Sequence, residues 1–251
     1  MTPRSSVALR LARTYCRWRC GRDLDGVWVE GLDRVRALDG PLVLAPNHVA
    51  WWDVLVLVLL DEALGADLRC LMDARNLARL PFLGKLGAIP LHRGAEAEQD
   101  LADAARWLRE GTGAAHRRVL VIFPQGRQRP AHLRPLAYRR GVERIAAESG
   151  APVIPVGWNY GFREDHRPAA AVCFGAPCAP RVEALEAATE ALLTRIDGLL
   201  TGAPGPFTAL VPPPGGRTDD GVGARVLAWL TGRRAGLPSP TPAARAGEPT
   251  P

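Results

Sequence analysis

The sequence predicts an α/β domain with a largely parallel central sheet flanked by helices, and three observations predict it. Between about residues 24 and 200, short β-prone apolar runs alternate with longer segments of helical periodicity. Most of the short runs are apolar at successive positions, which reads as strands covered on both faces, the habit of parallel sheets. The chain has 251 residues, 47% of them hydrophobic and 23% charged, enough to bury one full core, and no internal repeat divides it.

Residues 1–22 hold Arg4, Arg10, Arg13, Arg17, Arg19 and Arg22 and no acid. Val7, Leu11, Tyr15 and Trp18 recur at helical spacing, with Arg10, Arg13 and Arg17 on another face, so an N-terminal basic amphipathic helix is expected. Two placements fit it: the apolar stripe packs on the domain, or the helix lies in an anionic lipid interface. On the second, deleting 1–22 should weaken binding to anionic vesicles more than to neutral ones.

Strands are then expected at 27–29, 42–45, 68–72, 88–91, 119–123, 153–156 and 171–174, with helices at 51–64, 96–110, 135–149 and 182–200. From residue 201 the composition turns to Pro and Gly ("GAPGPF", "VPPPGG", "SPTPAARAGEPTP"), which cannot bury enough surface to offset ordering entropy. A disordered Pro/Gly-rich tail is expected over 201–251, interrupted by a short helix at 224–234. The main domain is thereby bounded at 23–200.

A net charge of +6 favours anionic partners, whether a membrane surface, nucleic acid or a phosphorylated substrate. The sequence has no GxxxxGK[ST] loop and no nucleic-acid recognition signature, so nucleic acid is not an expected partner. It also lacks the G-x-S-x-G elbow of serine hydrolases. The cysteines, five in number, show no CxxC or His/Cys spacing suited to zinc, and they read as reduced thiols in the cytoplasm. No secretory h-region is visible, and the longest aliphatic run, 54–60, is far short of the ~20 residues that span a bilayer. Membrane contact is therefore expected to be peripheral, on the inner face of the cell membrane.

The chemistry concentrates in "NHVAWWD", residues 47–53. On one helix His48 and Asp53 would point about 140° apart, so they cooperate only if His48 precedes the helix. Pro46 disfavours helix at Ala45, and Asn47 suits a turn or cap. The pair then lies at the carboxyl end of a strand, where open α/β sheets place ligands. An imidazole there can take a proton from a hydroxyl, while the carboxylate on its other nitrogen fixes the tautomer. Two further strands run towards arginines: "GAIPLHRG" delivers Arg93, and "VLVIFPQGRQRP" enters a turn with Pro124 and Gly126 at positions i+1 and i+3, followed by Arg127 and Arg129. Guanidinium groups beside a base suit a phosphate-bearing substrate.

"NHVAWWD", "GAIPLHR", "FPQG" and "VIPVGW", in this order, resemble the four blocks of the glycerolipid acyltransferase family, over roughly residues 40–160. The resemblance implies transfer of a fatty acyl group from acyl-CoA or acyl carrier protein, as co-substrate, to a lipid hydroxyl, without metal, further cofactor or acyl-enzyme. The simplest acceptor is 1-acylglycerol 3-phosphate. On this reading His48 is the base and Asp53 its partner, Arg93 contacts the substrate phosphate, and 153–156 belongs to the acyl-chain block. The substrate-binding set is completed by Asn47, Pro124, Gln125, Gly126, Arg127 and Arg129. Two departures from the usual Phe-Pro-Glu-Gly-Thr-Arg matter: Gln125 replaces the glutamate and Gln128 stands at the arginine, with Arg127 and Arg129 on either side. This leaves two alternatives open, the same chemistry on a glycosylated isoprenoid or amino-acid lipid, and a lipid-binding protein that has lost turnover.

Overall fold

The computed structural model describes residues 3–111, 116–163, 165–203 and 205–214. The helix expected at 224–234 lies outside them. The chain builds α1 (Ser6–Asp23), β1 (Val27–Glu30), α2 (Leu32–Arg36), β2 (Leu42–Pro46), α3 (Trp52–Leu64), β3 (Asp67–Asp73), α4 (Ala74–Arg79), α5 (Phe82–Leu86) and β4 (Ala88–Leu91). It continues with α6 (Ala95–Arg109), β5 (Arg118–Val121), α7 (Gly141–Ser149), β6 (Val153–Phe162), β7 (Pro168–Phe174), α8 (Val182–Leu200) and β8 (Thr208–Val211).

The strands form one sheet in the order β4-β3-β5-β2-β6-β7-β1-β8. From β4 to β6 every pairing is parallel, so these strands end at the same edge. Only the β6–β7 hairpin and the terminal β8 pair antiparallel. Leu42, Val43, Leu44 and Ala45 of the central strand β2 are essentially inaccessible, as a strand with both faces covered requires. One face packs on α1, α2 and α3, the other on α6, α7 and α8. Gly157 lets α8 approach β6 closely: a Cβ there would meet Leu192 at 2.7 Å.

Four local expectations change. α7 starts at Gly141 rather than 135, because the preceding loop spends its backbone groups elsewhere: Arg139 N–H donates to Pro124 O (2.9 Å), and Tyr138 N–H donates to Glu186 (2.6 Å). Ala137 there has a φ of 59°, outside helical space. β6 runs on to Phe162, six residues past the expected end, because its hairpin with β7 pairs Val156 through Phe162. The segment taken as tail contains β8, which pairs antiparallel with β1 at the sheet edge, where flanking prolines cost no ladder bond. The short helices α2, α4 and α5 were not expected; each is too brief to show a periodicity.

Of the two placements open to the N-terminal helix, packing of its apolar stripe on the domain does not occur; the helix docks by its arginine side. Arg4 and Arg13 donate to Asp61 of α3 (2.6 and 2.8 Å), a carboxylate almost wholly buried, and Arg17 pairs with Glu62 (2.7 Å). Leu9, Cys16 and Cys20 are the buried positions of α1. Val7, Leu11, Tyr15 and Trp18 instead face solvent, at 68, 67, 53 and 55% exposure. The reason lies in α3: its aliphatic run is buried all round, but Asp61 and Glu62 on the side towards α1 demand cations, and a buried carboxylate without partners is far costlier than an exposed apolar stripe.

Candidate active site

β2 ends at Pro46, and residues 47–51 turn before α3 begins at Trp52, so His48 precedes the helix that carries Asp53. His48 Nδ1 lies 2.6 Å from Asp53 Oδ2. The same oxygen accepts the backbone N–H groups of Val49 (2.9 Å) and Ala50 (3.3 Å), while Oδ1 accepts the Tyr160 hydroxyl (2.7 Å). The Asp53 side chain is 0% exposed. Since every other neighbour donates to this carboxylate, it acts as an acceptor only, and the bond to His48 requires the proton on Nδ1. The lone pair of Nε2 is then free, and no described residue occupies it. Phe123 lies against the imidazole at 4.2 Å between ring centroids and fixes its plane.

Tyr160 reaches Asp53 because β6 continues past the last β2–β6 pair, Pro46–Val156, and overhangs the strand end. Its oxygen accepts the indole N–H of Trp158 (2.9 Å) while its own proton goes to Asp53. Burial, together with the Asp53 charge and hydrogen bond, holds this phenol well above its usual range, so it stays protonated and able to donate.

Several residues expected to contact substrate are committed to the scaffold. Asn47 is 1% exposed; its amide donates to Trp158 O (2.8 Å) and accepts Trp158 N–H (2.7 Å), tying the end of β2 to β6. Gln125 is 3% exposed: its oxygen accepts His48 N–H (2.6 Å) and its amide donates to Leu136 O (3.1 Å). A glutamate could make the first bond but has no proton for the second. Pro124 is buried beneath the turn closed by Gly126 N–H to Phe123 O (3.0 Å), and Gly126 takes the positive φ of 65° that favours glycine. Arg129 N–H donates to His48 O (2.8 Å), and its guanidinium holds Pro135 O and Leu136 O (2.9 and 2.8 Å). Residues 153–156 form the middle of the sheet, with Val153, Ile154 and Val156 at most 1% exposed, so they offer no surface to an acyl chain.

Arg127 is exposed on the FPQG turn, with no described partner. Beside it, Arg139 lies where a Cβ on Gly126 would meet its guanidinium at 3.4 Å. Arg93 lies just past the end of β4, a strand three places from β2 in the sheet and so roughly 14 Å from it. There it pairs with Asp73 (2.7 Å) and is largely solvent-exposed. The sequence reading missed Tyr160, Trp158 and Arg139. "GWNYGF", which begins with the last two residues of the fourth block, gave the one available signal, two aromatics at i and i+2 on one face of a strand.

An imidazole with a free Nε2 and a buried carboxylate on Nδ1, at the open edge of a sheet, can deprotonate a hydroxyl and return the proton to a leaving group. The family model described as Acyltransferase matches residues 26–159, which contain His48, Asp53 and the FPQG turn. A comparison with curated proteins returns no match. Among solved structures, the crystal structure of the 1-acyl-sn-glycerophosphate (LPA) acyltransferase PlsC from Thermotoga maritima superposes with a TM-score of 0.56 at 17% identity, covering 78% of this chain and 81% of that one, which is a likeness of fold. With the family model spanning more than half of its length, and the His48–Asp53 pair at the sheet edge within that span, the chain belongs to the acyltransferase family.

Proposed function

We propose that the protein transfers a fatty acyl group from a thioester, acyl-CoA or acyl carrier protein, to a lipid hydroxyl, with 1-acylglycerol 3-phosphate as the simplest acceptor and phosphatidic acid as product. The observation that carries this is the 2.6 Å contact of His48 with a fully buried Asp53. His48 Nε2 takes the acceptor's hydroxyl proton as the oxygen attacks the thioester carbonyl. The C–S bond then breaks and the imidazolium gives its proton to the departing sulfur, leaving an ester and a free thiol.

Gln125 no longer argues for an unusual head group, since its amide is spent on His48 and Leu136. The unpaired cations Arg127 and Arg139 support an acceptor that bears phosphate. For membrane contact, the exposed apolar side chains give the support. Among the described residues all the large exposed ones except Leu133 and Phe162 lie on α1, at the start of α3 or around α4 and α5. α1 adjoins both neighbours: Ser5 N–H donates to Lys85 O (2.9 Å), and Arg19 lies over the Trp52 ring. This face would enter a lipid interface by apolar burial more than by charge. No helix among the described residues is long and apolar enough to cross a membrane.

The test is to incubate the protein with labelled palmitoyl-CoA or palmitoyl carrier protein and a total lipid extract, then identify labelled products by mass spectrometry. An acylated phospholipid is expected. Thioester consumption yielding only free fatty acid, or none at all, would overturn the proposal.

A further inference from the structure

We propose that Tyr160 is a positioning residue for the reaction: its hydroxyl, held by the Trp158 indole, pins the far oxygen of Asp53 so that the near one faces His48. The proposal rests on the reading of His48 as the base.

The geometry is a one-way chain of donors. Trp158 Nε1–H donates to the Tyr160 oxygen (2.9 Å), so the Tyr160 proton is directed onwards to Asp53 Oδ1 (2.7 Å). Asp53 Oδ2 collects His48 Nδ1–H and the two backbone N–H groups of the turn. The carboxylate is thus clamped at both oxygens by donors from two segments, the 48–50 turn and β6. The backbone donors of the turn touch only Oδ2, so they leave the carboxylate free to pivot about that oxygen. Tyr160 is the sole described donor to Oδ1. It therefore sets the plane of the carboxyl group and, through it, the line along which Nδ1–H is held. A hydroxyl is required for this; the aromatic ring alone would fill the space without directing anything.

The clamp also links the strand hairpin to the base. Asn47, next to His48, is bonded at both ends of its amide to the backbone of Trp158. One two-residue step of β6, from Trp158 to Tyr160, therefore fixes the chain beside the imidazole through its backbone and the carboxylate through its side chain. Only the second contact is removed by Tyr160→Phe. That variant keeps the ring and the strand, so it isolates the hydroxyl.

The test compares full-length wild type with Tyr160→Phe and His48→Ala. In protein labelled with ¹⁵N-histidine, the Nδ1–H resonance of His48, read without substrate, is expected to shift or broaden in Tyr160→Phe while circular dichroism is unchanged. With palmitoyl-CoA and lysophosphatidate in mixed micelles, kcat is expected to fall about tenfold with the acceptor KM nearly unchanged. An unmoved resonance with wild-type kcat in Tyr160→Phe, beside an inactive His48→Ala, would overturn the role of Tyr160 alone. An active His48→Ala would overturn both it and the base on which it depends.

Discussion

Gln125 accepts the backbone N–H of His48 at 2.6 Å and hands its amide proton to Leu136 O, so the third sequence block supports the first by a side chain that never meets solvent. The structure accounts for an amide here without reference to substrate. Gln125→Glu should keep the bond to His48, leave Leu136 O facing an acceptor, and cost about 1–3 kcal/mol of stability. Urea unfolding would register that loss. A panel of lipid acceptors should be used in the same order of preference as by wild type; a switch of acceptor would show that position 125 does read the head group.

Asp61 makes the corresponding prediction for the N-terminal helix. It accepts from Arg4, Arg13 and the Leu68 N–H (3.2 Å), with its side chain 3% exposed. Asp61→Ala would leave two partly buried guanidinium groups without this partner, and breaking such a pair typically costs about 3–5 kcal/mol. Limited proteolysis should then cut within residues 6–23 far faster than in wild type. Equal protection in the two proteins would mean that Leu9, Cys16 and Cys20 hold α1 by themselves.

The proposed lipid contact can be tested apart from that docking. Leu11 and Trp18 project to solvent and support no ion pair, so Leu11→Ser with Trp18→Ser, which adds no charge, should leave thermal stability close to wild type. Burying each such side chain contributes roughly 1.5–3 kcal/mol, so vesicle affinity should drop at least about tenfold on neutral and anionic vesicles alike. A loss confined to anionic vesicles would return the interaction to the arginines. Deleting 1–22 outright is a poor version of this experiment, because it also strips Asp61 of both cations.

The parts of the fold legible in the sequence were those encoded locally. α8 spans the residues its apolar spacing predicts, and β2 and β4 are off by no more than one residue. His48 and Asp53 were legible because a strand, Pro46 and a helix start all fall within one short stretch. Tyr160 was not, since it meets Asp53 across 107 positions and depends on how far β6 outruns β2. The facing of α1 was hidden for a related reason. Its arginine side and its aromatic side are both plausible outward faces until Asp61 on α3 claims the cations. β8 was masked by composition, four strand residues among prolines and glycines that taken together read as tail. Arg93 shows the limit of arguing from strand ends, which place a residue at an edge without saying how many strands lie between it and His48.

The most direct test of the His48 imidazole as the group that activates the acceptor is the rate of acyl-CoA-dependent lipid acylation by purified His48→Ala, set beside wild type at matched circular dichroism. If His48 is the base, the variant loses about 10² to 10⁴ in rate with the fold intact. Undiminished turnover by that folded variant would contradict that role.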